Sequence, residues 1–204
     1  MQGSASQTLL QDYQSLHSTD HLDLDELAKK LSKSQSKDQI DERATEFIKH
    51  FGSQSQQSQS GKGGRKRMAK ILFDAPRQCV PFFARFAAVV SQYFRDVGAE
   101  LVQMLEHEFS RLYEDSDVVK IDAKLRNIRF LGELTKFGVC PPQTVLECLK
   151  KCLDDFQPHN VEVIIQLLEA CGRYLSRTAD DIKFAPLIER LNRLKESKAI
   201  RIIV

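Results

Sequence analysis

The chain has 204 residues, 42% of them hydrophobic, and its 30 basic residues stand against 28 acidic ones for a formal charge of +2. A domain of this size buries about 70% of its unfolded surface and needs no disulfide staple, and so even a balance excludes the global field of a nonspecific nucleic-acid binder. No apolar run approaches the ~18 residues that span a bilayer, and the start M-Q-G-S-A-S-Q-T lacks a basic region followed by an apolar core, so a soluble, intracellular chain without membrane contact is expected.

Leu9, Leu10, Tyr13 and Leu16 give residues 6–17 a weak helical stripe within a weakly ordered segment, 1–20. Asp23 is placed to cap a helix carrying Leu24, Leu27, Ala28 and Leu31, because a short acceptor side chain satisfies the free amides of a first turn. A third helix begins at Asp38 and runs through Ile40, Ala44, Phe47, Ile48 and Phe51. Residues 52–64, G-S-Q-S-Q-Q-S-Q-S-G-K-G-G, hold no apolar side chain and read as a flexible Ser/Gln/Gly insertion. The run S-G-K-G at 60–63 is not a phosphate loop. Gln56 stands where the first glycine belongs, Gly63 stands where the magnesium-binding hydroxyl belongs, and no strand precedes.

Lys62, Arg65, Lys66, Arg67 and Lys70 then crowd the entry to a helix over 65–74. They are candidate RNA contacts through phosphate neutralisation, though no aromatic residue accompanies them for base stacking. The same run would serve as a solubilising helix start or a nuclear-localisation-like signal. Positive charge at a helix start opposes the macrodipole, which favours a purpose outside folding.

Pro76 marks a turn and Pro81 suits a first helical turn. Phe82, Phe83, Phe86, Ala87, Val89, Val90, Tyr93 and Phe94 are apolar nearly all round, the pattern of a central buried helix. The next helix, 96–113, buries Val97, Leu101, Met104, Leu105, Phe109 and Leu112. From Lys124 to Val139 the sequence is K-L-R-N-I-R-F-L-G-E-L-T-K-F-G-V. Leu125, Ile128, Leu131 and Leu134, with Phe130 and Phe137 flanking, form one face of a helix. Arg126, Arg129, Glu133 and Lys136 form a charged strip on the other, with Arg129 and Glu133 spaced for an i,i+4 pair worth roughly 0.2–0.5 kcal/mol. Such a strip is either a solvated face or a partner-binding surface, and periodicity does not choose between them.

Gly138, Pro141 and Pro142 stop that helix. Val145, Cys148, Leu149, Cys152, Leu153 and Phe156 stripe the next, 144–156. The five cysteines are an odd number without paired spacing, which suits free thiols in a reducing compartment. Cys148 and Cys152, with Cys140 upstream, lie close enough in sequence to consider zinc, yet their apolar stripe assigns them to the core, and a structural zinc site wants four ligands. His17, His21, His50, His107 and His159 are scattered, and no H-E-x-x-H or G-x-S-x-G occurs. No catalytic residue, cofactor, metal or small-molecule substrate is expected. Pro158 breaks the chain again, Asn160 is placed to cap a helix through Val161, Ile164, Leu167, Leu168, Cys171 and Leu175, and a last helix covers 179–195 with Pro186 near its start.

Helices joined by short loops pack as antiparallel neighbours, so the fold class is all-α. Ile128, Leu131 and Glu133 superpose on Ile164, Leu167 and Glu169 at one constant offset, which marks a two-helix repeat. A HEAT-like α-solenoid of antiparallel hairpins, one repeat domain over 1–204, is favoured over a closed bundle.

The run R-N-I-R-F-L-G-E-L-T-K-F, with L-L-E-A-C-G-R-Y-L at Leu167–Leu175 and A-P-R-Q before P-F-F-A-R-F at Pro81–Phe86, resembles the family of the middle domain of initiation factor 4G. The resemblance covers residues 24–195. It is closest to the branch found in factors of nonsense-mediated mRNA decay, as the second of three such domains. The resemblance implies a non-enzymatic scaffold, cytoplasmic or perinuclear, that docks proteins of the decay machinery or RNA. In such factors the last of the three domains holds a partner, and the other two support the architecture and contacts with a kinase. A translation-initiation module docking a helicase or RNA is the alternative. Two features depart from the family: the 52–64 insertion, and the end A-I-R-I-I-V, where residues 196–204 read as a divergent or truncated helix of a fragment.

Overall fold

A computed structural model describes residues 22–53, 59–114, 120–178 and 181–203. Ten α-helices are found among them: α1 Leu24–Ser32, α2 Lys37–Ser53, α3 Gln59–Phe73, α4 Val80–Ser91, α5 Arg95–Glu114, α6 Ile121–Lys136, α7 Pro142–Asp154, α8 Pro158–Leu167, the short α9 Arg173–Leu175, and α10 Asp181–Ile203. A 3-10 turn, Arg77–Cys79, leads into α4, and a π-helical turn, Leu168–Gly172, links α8 to α9.

The start and stop signals act as their chemistry demands. Asp23 Oδ1 accepts from the amides of Asp25 (2.9 Å) and Glu26 (3.3 Å), and these bonds lower the pKa of its carboxyl. Pro81, Pro142 and Pro158 stand in first turns, where no amide is wanted. Helix α6 closes in a Schellman turn: Gly138 takes φ +75°, its amide reaches Thr135 O (3.0 Å), and the Val139 amide reaches Leu134 O (2.9 Å).

The helices form two rows. Helices α2, α4, α6 and α8 pack side by side in one. In the other, α1 lies on α3, α3 on α5, and α7 on α10, and each hairpin contributes one helix to each row. The all-α expectation therefore holds, and the stack follows the repeat read from the sequence: Ile128 and Ile164, Leu131 and Leu167 are all buried at the same level of their helices. The core is continuous from Leu24 to Phe184. Phe47 anchors its first half, with ring centroids 4.6 Å from Phe51, 5.9 Å from Phe86 and 6.2 Å from Phe94.

Cys148 and Cys152 lie in that core, as does every other cysteine. Burial pushes the thiols up, to about 11 at Cys140 and about 12 at Cys152 and Cys171. These are packing side chains and poor thiolate ligands.

Several expectations need correction. Of the thirteen-residue insertion, Gly52 and Ser53 belong to α2 and Gln59–Gly64 to α3. The helix is possible there because glycine lets its backbone approach the core: a Cβ on Gly64 would stand 2.3 Å from the Phe51 ring. Residues 54–58, and the weak helix expected at 6–17, lie outside the described residues. Asn160 does not cap α8, which begins at Pro158. It is buried and donates instead to Asp155 O (2.7 Å) and Oδ2 (3.1 Å), tying the helix to the preceding loop. Tyr93 and Phe137, expected in buried stripes, are 62% and 37% exposed because both fall past the ends of their helices. Helix α10 continues beyond Lys195 to Ile203.

Candidate partner-binding surface

The charged strip on α6 splits into an inward and an outward half. Arg126 turns toward the second row. Its Nη2 donates to both carboxylate oxygens of Glu108 on α5 (2.8 and 3.1 Å), its Nη1 donates to Phe73 O at the end of α3 (3.1 Å), and its guanidinium lies 5.4 Å from the Phe73 ring centroid. Asn127 completes the clamp, donating from Nδ2 to Glu108 Oε2 (2.7 Å) and Leu105 O (2.9 Å). Arg126 thus joins three helices and is a poor candidate for touching a partner.

The pair expected between Arg129 and Glu133 does not form. Glu133, only 7% exposed, is in ion contact with Lys136, one residue nearer than the expected spacing but on the same face. The contact lacks hydrogen-bond geometry at Glu133 Oε2, so charge rather than a directed bond holds it. Arg129 faces a shallow polar cleft shared with Glu133, Gln166, Glu169 and Ala170. Arg77 extends this surface, donating to Asp122 Oδ1 (3.2 Å) and Gln166 Oε1 (3.0 Å). The cleft exists because α6 and the π-helical turn approach closely: a Cβ on Gly132 would lie 2.7 Å from Ala170 Cβ. Arg77, Gln166 and Glu169 were not among the site residues expected from the sequence. Only the echo of Glu133 at Glu169 hinted at them.

The basic cluster on α3 is largely neutralised. Arg65 is buried, with Nε bonded to Asp96 Oδ2 (2.7 Å) and its guanidinium 5.2 Å from the Phe94 centroid. Arg67 pairs with Asp25 (2.7 Å), and Lys66 lies 3.6 Å from Glu100. Lys62 and Lys70 stay exposed with no ion pair to any described residue. Because α3 begins at Gln59, Arg65–Lys70 lie beyond its first turn, and carboxylates from α1 and α5 answer three of these charges, so the macrodipole objection falls away. Residues 60–63 are helical, which rules out a phosphate-wrapping loop there.

Among the described residues no three His, Cys, Asp or Glu side chains gather as a metal site, and no helix is long and apolar enough to cross a membrane. The chemistry on offer is polar recognition over an extended surface.

Residues 23–200 match the MIF4G domain family. The chain is 36% identical over 185 residues to the Regulator of nonsense transcripts UPF2 of Arabidopsis thaliana, covering 89% of this chain and 15% of that protein. It is 33% identical over 183 residues to the human Regulator of nonsense transcripts 2, covering 87% and 14%, and 33% identical over 143 residues to the Nonsense-mediated mRNA decay protein 2 of Schizosaccharomyces pombe, covering 68% and 14%. The chain thus spans 14–15% of the length of these curated relatives. With the family matched over nearly all the described helices and the two-row stack in place, the chain belongs to the MIF4G domain family.

Proposed function

We propose that the chain is a non-enzymatic scaffold domain of nonsense-mediated mRNA decay, acting in the cytoplasm and holding proteins of the decay machinery on the surface that joins α6 to the π-helical turn. The observation that carries this reading is the polar strip of Arg77, Arg129, Glu133, Gln166, Glu169 and Lys136 along adjacent helices, in a chain whose relatives are named regulators of nonsense transcripts. Alternating charges on rigid helices set the register of a partner more than its affinity. The chain corresponds in this reading to the second of three related domains. A perinuclear position draws no support from the surface or the relatives.

Arg129→Glu combined with Glu169→Lys reverses both signs in the cleft and leaves the Arg126 clamp alone. Affinity purification from native extract followed by mass spectrometry is expected to lose decay factors with this variant at unchanged helical content. Unchanged recovery of every partner would sink the strip as a docking surface.

The second reading, RNA binding in decay or translation initiation, is favoured by one observation: Lys62, Lys66 and Lys70 recur every fourth residue and are all exposed. Such a row meets successive phosphates. Neutralising the three lysines is expected to abolish a salt-sensitive RNA affinity, and absence of measurable RNA binding at low salt removes the reading.

A further inference from the structure

A second concavity lies midway along the stack, where the C-terminal ends of α4 and α6 meet the start of α5, and shares no lining residue with the Arg129 cleft. It has a volume of about 340 Å³ and is lined by the last turn of α4 (Ala88, Ser91, Gln92), the first turns of α5 (Arg95, Gly98, Ala99) and the turn after α6 (Phe137, Gly138, Val139). Its walls follow from backbone constraints already described. Gly138, at positive φ, reverses the chain so that the Phe137 ring is left at the surface. Gly98 seals the base, since a Cβ there would stand 2.3 Å from Ser91 Oγ and 2.8 Å from Val139 Cγ1. Ala88 and Ala99 leave room above it.

The charge at this groove is one-sided. Arg95 is exposed and has no carboxylate partner among the described residues. The nearby acids are already engaged: Asp96 with Arg65, and Glu133 with Lys136. Lys136, 5.5 Å from the Phe137 ring centroid, is in turn spent on Glu133, so the unanswered charge at the groove is that of Arg95. Elsewhere in the fold Arg65, Arg67, Arg85, Arg126 and Arg190 are each answered by an acid. A small-floored groove with an aromatic wall and an unanswered arginine fits an apolar side chain next to a carboxylate.

We propose that this groove docks a short acidic segment of a partner protein, seating an apolar side chain against Phe137 and Val139 and a neighbouring Asp or Glu on Arg95. The proposal goes beyond the scaffold reading and does not depend on the α6 strip.

The probe is a phage library of random dodecapeptides selected on the full chain, with selected peptides remeasured by fluorescence anisotropy. Enriched peptides are expected to carry Asp or Glu beside Leu, Ile or Phe. Their binding should weaken about tenfold or more with Arg95→Glu, the loss of one charge-assisted contact, and with Ala99→Trp, which fills the groove from an exposed position. Arg111→Glu, exposed elsewhere on α5, and the Arg129→Glu/Glu169→Lys pair should leave it unchanged. Thermal melts confirm that each variant is folded. No enrichment, enrichment without acidic residues, or binding indifferent to both groove variants overturns the proposal. So does a single-stranded RNA dodecamer whose binding is lost with the same two variants.

Discussion

Gly132 and Ala170 meet where α6 crosses the π-helical turn, so closely that a Cβ added at 132 would lie 2.7 Å from Ala170 Cβ. Both partners are on backbone held by the core, and neither is the free end of a long side chain. Gly132→Val is therefore expected to destabilise the chain by about 1–3 kcal/mol, the usual range for forced overpacking, as read from the urea midpoint. Adding Ala170→Gly should restore part of the loss. Equal stability of Gly132→Val and the unaltered chain would mean the two helices slide apart freely.

Arg126 and Arg129, three residues apart on one helix, should behave differently. Arg126→Ala leaves the buried Glu108 carboxylate without its cation, at a cost of roughly 3 kcal/mol. Arg129→Ala should stay within about 0.5 kcal/mol, because its group borders solvent. Denaturant titration of the two variants distinguishes them, and equal losses would contradict the inward placement of Arg126.

Gly138→Ala tests the turn that shapes the groove. An alanine held at φ +75° costs about 1 kcal/mol relative to glycine, so a fall in melting temperature is expected without loss of helical signal. Gly52→Ala, with open space around its Cβ position, is the matched control.

The buried thiols set an alkaline limit on stability. Cys140, Cys152 and Cys171 ionise at about 11 to 12 in the folded chain, against 9.0 for an unperturbed thiol. Between those values the unfolded chain loses protons that the folded chain keeps, so stability is complete below pH 9 and falls as pH rises toward 12. Urea midpoints at pH 8 and pH 10.5 should differ, and by less in a Cys152→Ala variant. Thiol-reactive dyes should label the native chain slowly at pH 8 and the urea-unfolded chain at once.

The helices were legible because their stripes record local periodicity. Leu125, Ile128, Leu131 and Leu134 bury one side of α6 as their spacing requires. The roles of the charges were not legible, because each depends on a partner far away in sequence. Arg126 finds Glu108 on another helix, and Arg65 finds Asp96, so a strip and a cluster that look solvent-facing in one dimension turn out to be partly internal clamps. Tyr93 and Phe137 failed for a related reason. Periodicity extends a stripe past the residue where the backbone leaves the helix, and only the turn at Gly138 says where that happens. The groove beside Arg95 was invisible for a similar cause, since the α4–α5 corner that makes two of its walls is closed by a turn, Phe137–Val139, about forty residues further along the chain.

The two rows of the stack are joined differently along their length. Helices α4, α6 and α8 touch directly, whereas α5 and α7 are linked by Thr144 donating to Glu106 (2.8 Å) and Tyr113 donating to Lys151 O (2.7 Å), both at the solvent edge. Exposed bonds of this kind exchange readily with water. A bending load is therefore expected to open the α5–α7 seam before it parts α4, α6 and α8, whose contacts are buried.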